Sequence, residues 1–211
     1  MQPSVLVTGG AGYIGSHVVR QLGEQGYRVV VLDNLSSGFK ELLLGADLTI
    51  GDTGDAETVS ALLKRENVRS ILHFAAHTIV PESVSDPLKY YRNNTANTRT
   101  LLDCAVAAGV EHFIFSSTAA VYGEPADGVA RLDSPTQPIN PYGRSKLMSE
   151  WMLEDTAKAT KLRYVALRYF NVAGNDPQGR IGHSLPQATL LVKAACQHAA
   201  GLRPDISIFG T

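Results

Sequence analysis

The chain has 211 residues, of which 44% are apolar, and this is enough to bury the core of one α/β domain and argues against disorder. Nineteen basic and twenty acidic side chains leave a formal net charge of -1, without the basic excess that a nucleic-acid or anionic-membrane partner requires. The composition therefore predicts small-molecule partners, with neither nucleic acid nor a membrane among them.

Signals for export, membrane insertion or metal binding are not visible in the sequence. The first four residues, MQPS, run straight into a predicted strand, and no apolar run approaches membrane-spanning length. Cys104 and Cys196 lie far apart and lack a ligand pattern, so both are predicted to be reduced. The six histidines show no metal-ligand spacing. The sequence therefore predicts a cytoplasmic protein without a metal site.

The first predicted strand enters a phosphate-binding turn within residues 4–15, SVLVTGGAGYIG. Gly10-x-Gly12-x-x-Gly15 is the dinucleotide fingerprint, but Gly9, Gly12 and Gly15 fit a wider spacing, so the pattern leaves open which pair forms the turn. Glycines let the main chain approach a pyrophosphate, and the helix predicted to follow points its first amides at the anion. A turn that serves only packing would show the same glycines, so the residues after it must distinguish a phosphate-binding turn from a packing turn.

An acidic residue stands where a ribose-binding carboxylate is expected. Val29–Leu32 is the second predicted strand, and Asp33 at its end follows Gly15 by 18 residues. A carboxylate accepts hydrogen bonds from a ribose diol and repels a 2′-phosphate, and no arginine lies between Asp33 and Lys40. NAD is therefore predicted over NADP. The polar segment 34–38, NLSSG, could contact the adenosine end, although an ordinary surface loop explains it equally well.

Two further strands end in residues that face the same crevice, because ligands of open α/β sheets bind at the carboxyl ends of strands. After the predicted strand Leu48–Ile50, Asp52 could contact an adenine or cap the next helix. After the predicted strand Ser70–Phe74, Ala75 and Ala76 are small enough for a cofactor to lie against the backbone, though small residues also pack well.

A helix predicted from Asp86 to Ala108 carries Asn93 and Asn94 in its middle. Asparagine lowers helix propensity, so the pair indicates a side-chain role. The fifth predicted strand, His112–Phe115, follows and ends in three hydroxyl residues, Ser-Ser-Thr, at positions 116–118. These hydroxyls are expected to face the same crevice as the glycine turn.

The next predicted helix, from Pro141 to about Thr160, carries Tyr142 and Lys146. Residues four apart share one helix face, so the ammonium can lie near the phenol and favour the phenolate. A YxxxK pattern is common and usually carries no chemistry, but its place after a dinucleotide-binding pattern predicts a catalytic pair. A sixth strand at 164–167, a helix at 186–200 and a strand at 206–209 complete the predicted elements.

Five segments together resemble the extended short-chain dehydrogenase/reductase family: TGGAGYIG, HFAA, FSSTAAVYG, PYGRSK and RYFNVAG. Within it they are most similar to the UDP-glucose 4-epimerase group, over essentially the whole chain. The resemblance implies an α/β fold, a doubly wound, Rossmann-like parallel sheet with helices on both faces. It also implies tightly held NAD and a UDP-sugar substrate bound largely by a second, carboxyl-terminal domain.

The resemblance assigns roles to individual positions. It implies that Thr118, Tyr142 and Lys146 are catalytic, and that Thr118 and Tyr142 bracket the reacting sugar hydroxyl. The implied cofactor contacts are Gly9, Gly12, Tyr13, Ile14, Gly15, Asp33, Asn34, Leu35, Ser36, Ser37, Gly38, Asp52, Thr53, Phe74, Ala75, Ala76, Thr78, Asn93, Tyr142, Lys146 and Phe170. The implied substrate contacts beside Thr118 and Tyr142 are Asn171, Leu191 and Phe209.

The chain departs from the family pattern at two of its positions. Some members carry a lysine where it has Thr78, and an asparagine or histidine where it has Leu190. The departures affect one implied cofactor contact and one implied substrate contact.

The implied reaction is reversible oxidation at sugar carbon 4, which interconverts UDP-galactose and UDP-glucose. Epimerisation of a UDP-N-acetylated sugar or a UDP-pentose is an alternative. Dehydratases and decarboxylases of the family place acids where this chain has Ala119 and Ala120, which disfavours them. A non-catalytic NAD-binding regulatory protein would lose Tyr142 or Lys146, and both are present.

The same resemblance divides the chain into an NAD-binding domain, residues 1–170, and the start of a nucleotide-sugar-binding domain, residues 171–211, that continues in the family. We expect such a truncated chain to bind NAD and to show little epimerase activity. The helices near 87–108 and 141–160 resemble a dimer-forming pair and predict a homodimer, although packing within one subunit is an alternative.

Overall fold

A single six-stranded sheet organises the computed structural model, which describes residues 3–184 and 190–206. All neighbouring strands are parallel, in the order β3-β2-β1-β4-β5-β6. The chain starts at the centre, builds one edge and then returns to build the other, as the doubly wound prediction requires. The strands are β1 (Ser4–Thr8), β2 (Arg28–Asp33), β3 (Asp47–Ile50), β4 (Val68–His73), β5 (His112–Ser116) and β6 (Arg163–Leu167).

Seven α-helices accompany the sheet in the described residues. In that part of the chain none of them is both long and apolar enough to cross a membrane. They are α1 (Tyr13–Glu24), α2 (Ala56–Arg65), α3 (Val80–Ser85), α4 (Pro87–Tyr90), α5 (Asn97–Ala107), α6 (Pro141–Ala159) and α7 (Leu191–Ala199). Short 3₁₀ turns occupy Lys40–Leu43 and Ala119–Tyr122.

Both faces of the sheet are covered by helices, which confirms the predicted layers. On β1, Leu6 belongs to a core that includes residues of α2, α5 and α6. Its neighbours Val5 and Val7 belong to a second core, with Val19 of α1. Successive residues of a strand point to opposite faces, so β1 contributes to both cores and is buried along its whole length.

The helix predicted from Asp86 to Ala108 is interrupted. A π-helical turn, Tyr91–Ala96, joins α4 to α5 and contains both asparagines. The buried Asn94 side chain accepts from His77 N (2.9 Å) and donates to Ser145 Oγ (3.1 Å). A π turn is a single-turn bulge that is often found at functional sites, and here it carries Asn94 to a partner on α6. Sequence periodicity does not reveal that partner, because it lies on another element.

The remaining predicted elements agree with the structure to within a few residues at their ends. The short helix α3 was not expected, because its Pro and Ser residues favour turns. The strand predicted at 206–209 lies, apart from residue 206, outside the described residues. So does the first part of the helix predicted at 186–200.

The backbones of β1, β4 and α1 approach one another closely at two glycines. Gly9 has a φ of +70°, and a β-carbon there would lie 2.5 Å from Ala75 N. A β-carbon on Gly15 would lie 2.1 Å from Gly9 O. Neither position has room for a side chain, so both glycines set where α1 begins relative to the strand ends.

We predict that Gly15→Ala lowers the free energy of unfolding by about 2 kcal/mol or more, because its methyl group overlaps main-chain atoms that cannot turn away. Gly23→Ala is the matched control, since a β-carbon at Gly23 of the same helix meets nothing within 4 Å. That control should gain roughly 0.5–1 kcal/mol from helix propensity. Urea unfolding of both variants checks this, and equal stabilities would contradict the close approach.

Candidate functional site

A cavity of about 660 Å³ opens at the carboxyl ends of the strands, where the strand order reverses between β1 and β4. Every predicted cofactor residue lines it except Leu35, whose side chain packs against the smaller core. Of the predicted substrate residues, Thr118, Tyr142 and Asn171 line it. Leu191 does not, because its side chain is 69% exposed on α7, and the preceding Leu190 lines the cavity instead. Phe209 lies outside the described residues.

The N-terminus of α1 faces this cavity without a side-chain cap. Gly12 is its N-cap residue, it makes no side-chain hydrogen bond, and no acid occupies the first turn. By contrast, Asp55 caps α2 and Asn140 caps α6 through their side chains. Amides left without a side-chain acceptor, together with the helix dipole, favour an anion at this point. Gly12 N donates to Gly9 O (3.1 Å), so the turn follows the wider of the two glycine spacings.

Asp33 is buried at the end of β2, and the main chain holds its carboxylate in place. Oδ2 accepts from Ala11 N (2.9 Å) and Oδ1 accepts from Leu35 N (2.8 Å). These two bonds fix the orientation of the carboxylate beside the glycine turn, and each oxygen keeps a lone pair for a further donor. The sequence did not indicate Ala11, because its role is carried by its backbone.

Asp52 joins the polar turn after β2 to α5. Its carboxylate accepts from Asn34 Nδ2 (2.9 Å), Asn97 Nδ2 (2.7 Å) and Gly54 N (2.8 Å). The alternative that Asp52 caps the next helix is wrong, because Asp55 accepts from the first amides of α2. Asp52 lines the cavity, which keeps the predicted adenine contact sterically available.

Tyr142 and Thr118 lie next to each other in the lining of the cavity. Asn140 caps α6 by accepting from Gly143 N (2.8 Å), and this places Tyr142 in the first turn of that helix. Burial raises the pKa of the Tyr142 phenol, and a hydrogen bond with the Thr118 side chain lowers it in part. Thr118 also accepts from Ala120 N (3.1 Å), so its hydroxyl is held in one orientation.

Lys146 is buried one turn further along α6, with 3% of its surface exposed. Its Nζ donates to Ser116 O (2.8 Å) and lies 4.9 Å from the centre of the Phe115 ring. Burial lowers the pKa of Lys146 to about 7, and the charge of Glu150 opposes that change. The two side chains share a helix face as predicted, but the ammonium bonds to the strand end and not to the Tyr142 phenol.

The wall opposite the glycine turn comes from the segment after β6. Tyr13 Oη donates to Gly174 O (2.6 Å), and its ring lies edge-on to that of His183 at 4.8 Å. Asp176 is buried and pairs with both Arg20 of α1 and Arg180. These contacts fasten residues 171–184 onto α1, and the exposed Phe170 and Asn171 stand at the rim of the cavity.

His73 lies beneath the cavity as a neutral side chain. Its ring nitrogens hydrogen-bond with Thr8 Oγ1 (2.6 Å) and Thr98 Oγ1 (2.9 Å). Burial, assisted by the charge of Lys146, lowers its pKa to about 3. His73 is therefore a structural bridge between β1, β4 and α5. No group of three His, Cys, Asp or Glu side chains in residues 3–184 and 190–206 could hold a metal ion.

We predict that His73 makes folding less favourable as the pH falls. Between pH 6.5 and 3 the unfolded chain takes up a proton that the folded chain excludes, so unfolding is favoured by up to about 1.4 kcal/mol per pH unit. The difference in unfolding free energy between wild type and His73→Gln should therefore change by roughly 2–3 kcal/mol from pH 6 to pH 4. Parallel curves from urea unfolding at both pH values would contradict a buried, neutral His73.

The cavity combines three chemical provisions. An uncapped helix N-terminus suits a diphosphate, a fixed carboxylate suits a ribose diol, and a phenol beside a hydroxyl and a buried ammonium suits proton transfer at an alcohol. Gly9 and Gly15 have no room for a β-carbon, and this lets the backbone approach the diphosphate closely. These provisions fit a dinucleotide that extends from Asp33 to Tyr142.

Residues 5–210 match the NAD dependent epimerase/dehydratase family. The UDP-glucose 4-epimerase of Azospirillum brasilense is 54% identical over 210 residues, which cover 99% of this chain and 60% of that protein. The crystal structure of UDP-glucose 4-epimerase from Brucella ovis in complex with NAD is 44% identical, with a TM-score of 0.91, and the match covers 96% and 62% of the two chains. The UDP-Glc/GlcNAc 4-epimerase of Campylobacter jejuni is 47% identical, with a TM-score of 0.83 and coverages of 96% and 64%. The chain thus spans about three fifths of the length of these relatives.

Proposed function

The chain belongs to the NAD dependent epimerase/dehydratase family, and on that premise we propose that it binds NAD and carries the proton-transfer site of a UDP-glucose 4-epimerase. One observation carries the proposal. The uncapped N-terminus of α1, the fixed carboxylate of Asp33 and the neighbouring Tyr142 and Thr118 line one continuous cavity. In this cavity the pyrophosphate of a dinucleotide would meet the amides of α1, its adenosine ribose would meet Asp33, and its nicotinamide would lie near Tyr142 and Thr118.

The proposed seat of NAD follows the length of the cavity. The amides of Tyr13 and Ile14 would hold the pyrophosphate, and Asp33 the adenosine ribose. Ala75 and Ala76 leave space beside the strand end for the rest of the dinucleotide. When bound, NAD supplies the two-electron oxidation and reduction at sugar carbon 4. The Brucella relative is described in complex with NAD, which supports this choice of cofactor.

Proton transfer in this proposal rests on three side chains. Tyr142 takes the proton of the sugar 4-hydroxyl and later returns it, while Thr118 hydrogen-bonds the same oxygen. Because burial raises the pKa of Tyr142, the phenolate needs a nearby positive charge. Lys146 is the buried cation one turn away on the same helix, and its bond to Ser116 O holds it there. Its charge is therefore an essential part of the base.

The proposed substrate is a UDP-sugar, with UDP-galactose and UDP-glucose first. Ala119 and Ala120 follow Thr118, so no carboxylate is available there to drive elimination or decarboxylation. Epimerisation needs only the phenol, the hydroxyl and the cation. One relative is named for both UDP-glucose and its N-acetylated counterpart, so parallel assays on the two UDP-hexoses and a UDP-pentose belong with the test.

The proposal also covers the domains, the oligomeric state and the compartment of the protein. Residues 1–170 would form the NAD-binding domain, and residues 171–211 would begin the nucleotide-sugar-binding domain. A homodimer through the helices at 87–107 and 141–159 is supported by the exposed side chains of Leu88, Met148 and Trp151. The free thiols of Cys104 and Cys196 fit a reducing compartment, the cytoplasm.

We predict that Tyr142→Phe retains NAD and loses at least 100-fold in UDP-galactose turnover, because the ring is kept and the proton acceptor is removed. Bound NAD, measured after release from the protein, separates this loss from misfolding. Tyr91→Phe is the control, because Tyr91 is not among the residues that line the cavity. Turnover of Tyr142→Phe within a few-fold of wild type would exclude Tyr142 as the base.

We predict that Asp33→Ala weakens NAD binding about tenfold or more and reduces the preference for NAD over NADP, because it removes both the diol acceptor and the charge that repels a 2′-phosphate. Asp47→Ala changes an exposed acid at the start of β3 and should alter neither quantity. Calorimetric titration of each protein with both dinucleotides decides the matter. An unchanged preference in Asp33→Ala would mean that the ribose is recognised elsewhere.

A further inference from the structure

Glu150 is a buried acid on the same face of α6 as the two groups proposed for proton transfer. Tyr142, Lys146 and Glu150 follow one another at intervals of four residues, so they form one row along the helix. Only 6% of Glu150 is exposed. An ionised carboxylate at such depth requires strong partners, and their identity indicates what it does.

The partners of Glu150 come from the ends of two strands. Arg168, just after β6, forms a forked ion pair with it: Nε lies 3.0 Å from Oε1, and Nη2 lies 2.5 Å from Oε2. Ser117, just after β5, donates its hydroxyl to Oε1. The guanidinium of Arg168 also lies over the ring of Tyr122, 4.9 Å from its centre. The forked geometry fixes the orientation of both charged groups.

Helix α6 thereby holds the hydroxyl segment at consecutive residues. Lys146 bonds to the carbonyl of Ser116, Glu150 accepts from the side chain of Ser117, and the next residue is Thr118. The backbone after β6 adds a further tie, because Ala119 N donates to Tyr169 O (3.0 Å). These bonds hold the main chain on both sides of Thr118, and they thereby set the place of its hydroxyl relative to Tyr142.

We propose that the Glu150–Arg168 pair is a positioning element of the site: the carboxylate sustains the charge of the Lys146 ammonium and, through Ser117, holds Thr118 against Tyr142. The relevance of this element to catalysis rests on the proposed function. The electrostatic relation between Glu150 and Lys146 does not, because both groups belong to the folded chain whatever its substrate.

The charged and titratable groups around Lys146 and Glu150 determine in which direction the loss of the Glu150 charge changes the pKa of Lys146. The neighbours are Tyr142 on α6, the neutral His73 on β4, Tyr164 within β6, Tyr122 after β5, and Arg168 and Tyr169 after β6. Of these, Arg168 carries the positive charge and offsets part of the field of Glu150. Burial lowers the pKa of Lys146, and the charge of Glu150 opposes it. Removing that charge should therefore release the lysine proton at lower pH.

The direct test is the titration of Lys146 in the 211-residue chain labelled with ¹³Cε-lysine and followed by NMR, its signal assigned with Lys146→Arg. Glu150→Gln keeps the shape and the acceptor for Ser117 while removing the charge. It should lower the pKa of Lys146 by about 0.5–1 unit, which is a three- to tenfold change in proton affinity. The control Glu154→Gln removes an exposed acid one turn further along α6 and should leave the value unchanged.

An unchanged Lys146 titration in a folded Glu150→Gln variant would overturn the proposal, as would an equal shift in Glu154→Gln. If Glu150→Gln does not fold, Glu150→Asp replaces it, because the shorter side chain moves the negative charge away from Lys146. A smaller downward shift is then expected, and no shift counts against the proposal.

Turnover measurements are a second test of the positioning role. Ser117→Ala keeps the ion pair and should lower kcat about tenfold with KM little changed, whereas equal kcat would overturn the tie to Thr118. In Glu150→Gln the alkaline limb of the pH profile should move to lower pH. Failure of the wild-type protein to bind NAD would refute the proposed function, while the NMR titration would still decide the link between Glu150 and Lys146.

Discussion

The close approach of main chain at the start of α1 is the constraint on which the cavity depends. Gly9 and Gly15 bring β1, β4 and α1 together at distances that exclude every β-carbon. Since α1 starts directly at the strand ends, its uncapped amides and the carboxylate of Asp33 meet at one place, joined through Ala11 N. A displacement of the helix by one side chain would separate the proposed phosphate and ribose contacts.

The far end of the cavity depends on a different kind of constraint, the burial of charge. Lys146, Glu150 and Arg168 are packed between α6 and the ends of β5 and β6. Removal of one partner from such a cluster leaves a charge without compensation, which costs about 3–5 kcal/mol. The cluster therefore fixes how α6 lies on the sheet, and the same contacts place Tyr142 next to Thr118. Stability and proposed chemistry share these residues.

Local patterns in the sequence predicted the sheet, the glycine turn, Asp33 and the Tyr142–Lys146 face, because each depends on spacing within one or two elements. The features that these local patterns did not predict depend on tertiary contacts. The π turn follows from Asn94 meeting the segment around His77, and Asp55 rather than Asp52 caps α2 because Asp52 is engaged by Asn97. Leu35 looked like part of a ligand-binding turn, yet its side chain packs into a core. Glu150 and Arg168 lie on separate elements, so no local spacing in the sequence links them.

A crystal structure of the chain with NAD tests most directly whether one cavity seats the dinucleotide from Asp33 to Tyr142. We expect pyrophosphate oxygens within hydrogen-bond distance of the amides of Tyr13 and Ile14, ribose hydroxyls on the Asp33 carboxylate, and the nicotinamide ring facing Tyr142. A dinucleotide bound outside this cavity, or one whose nicotinamide points away from Tyr142 and Thr118, would contradict the proposed site and the reaction built on it.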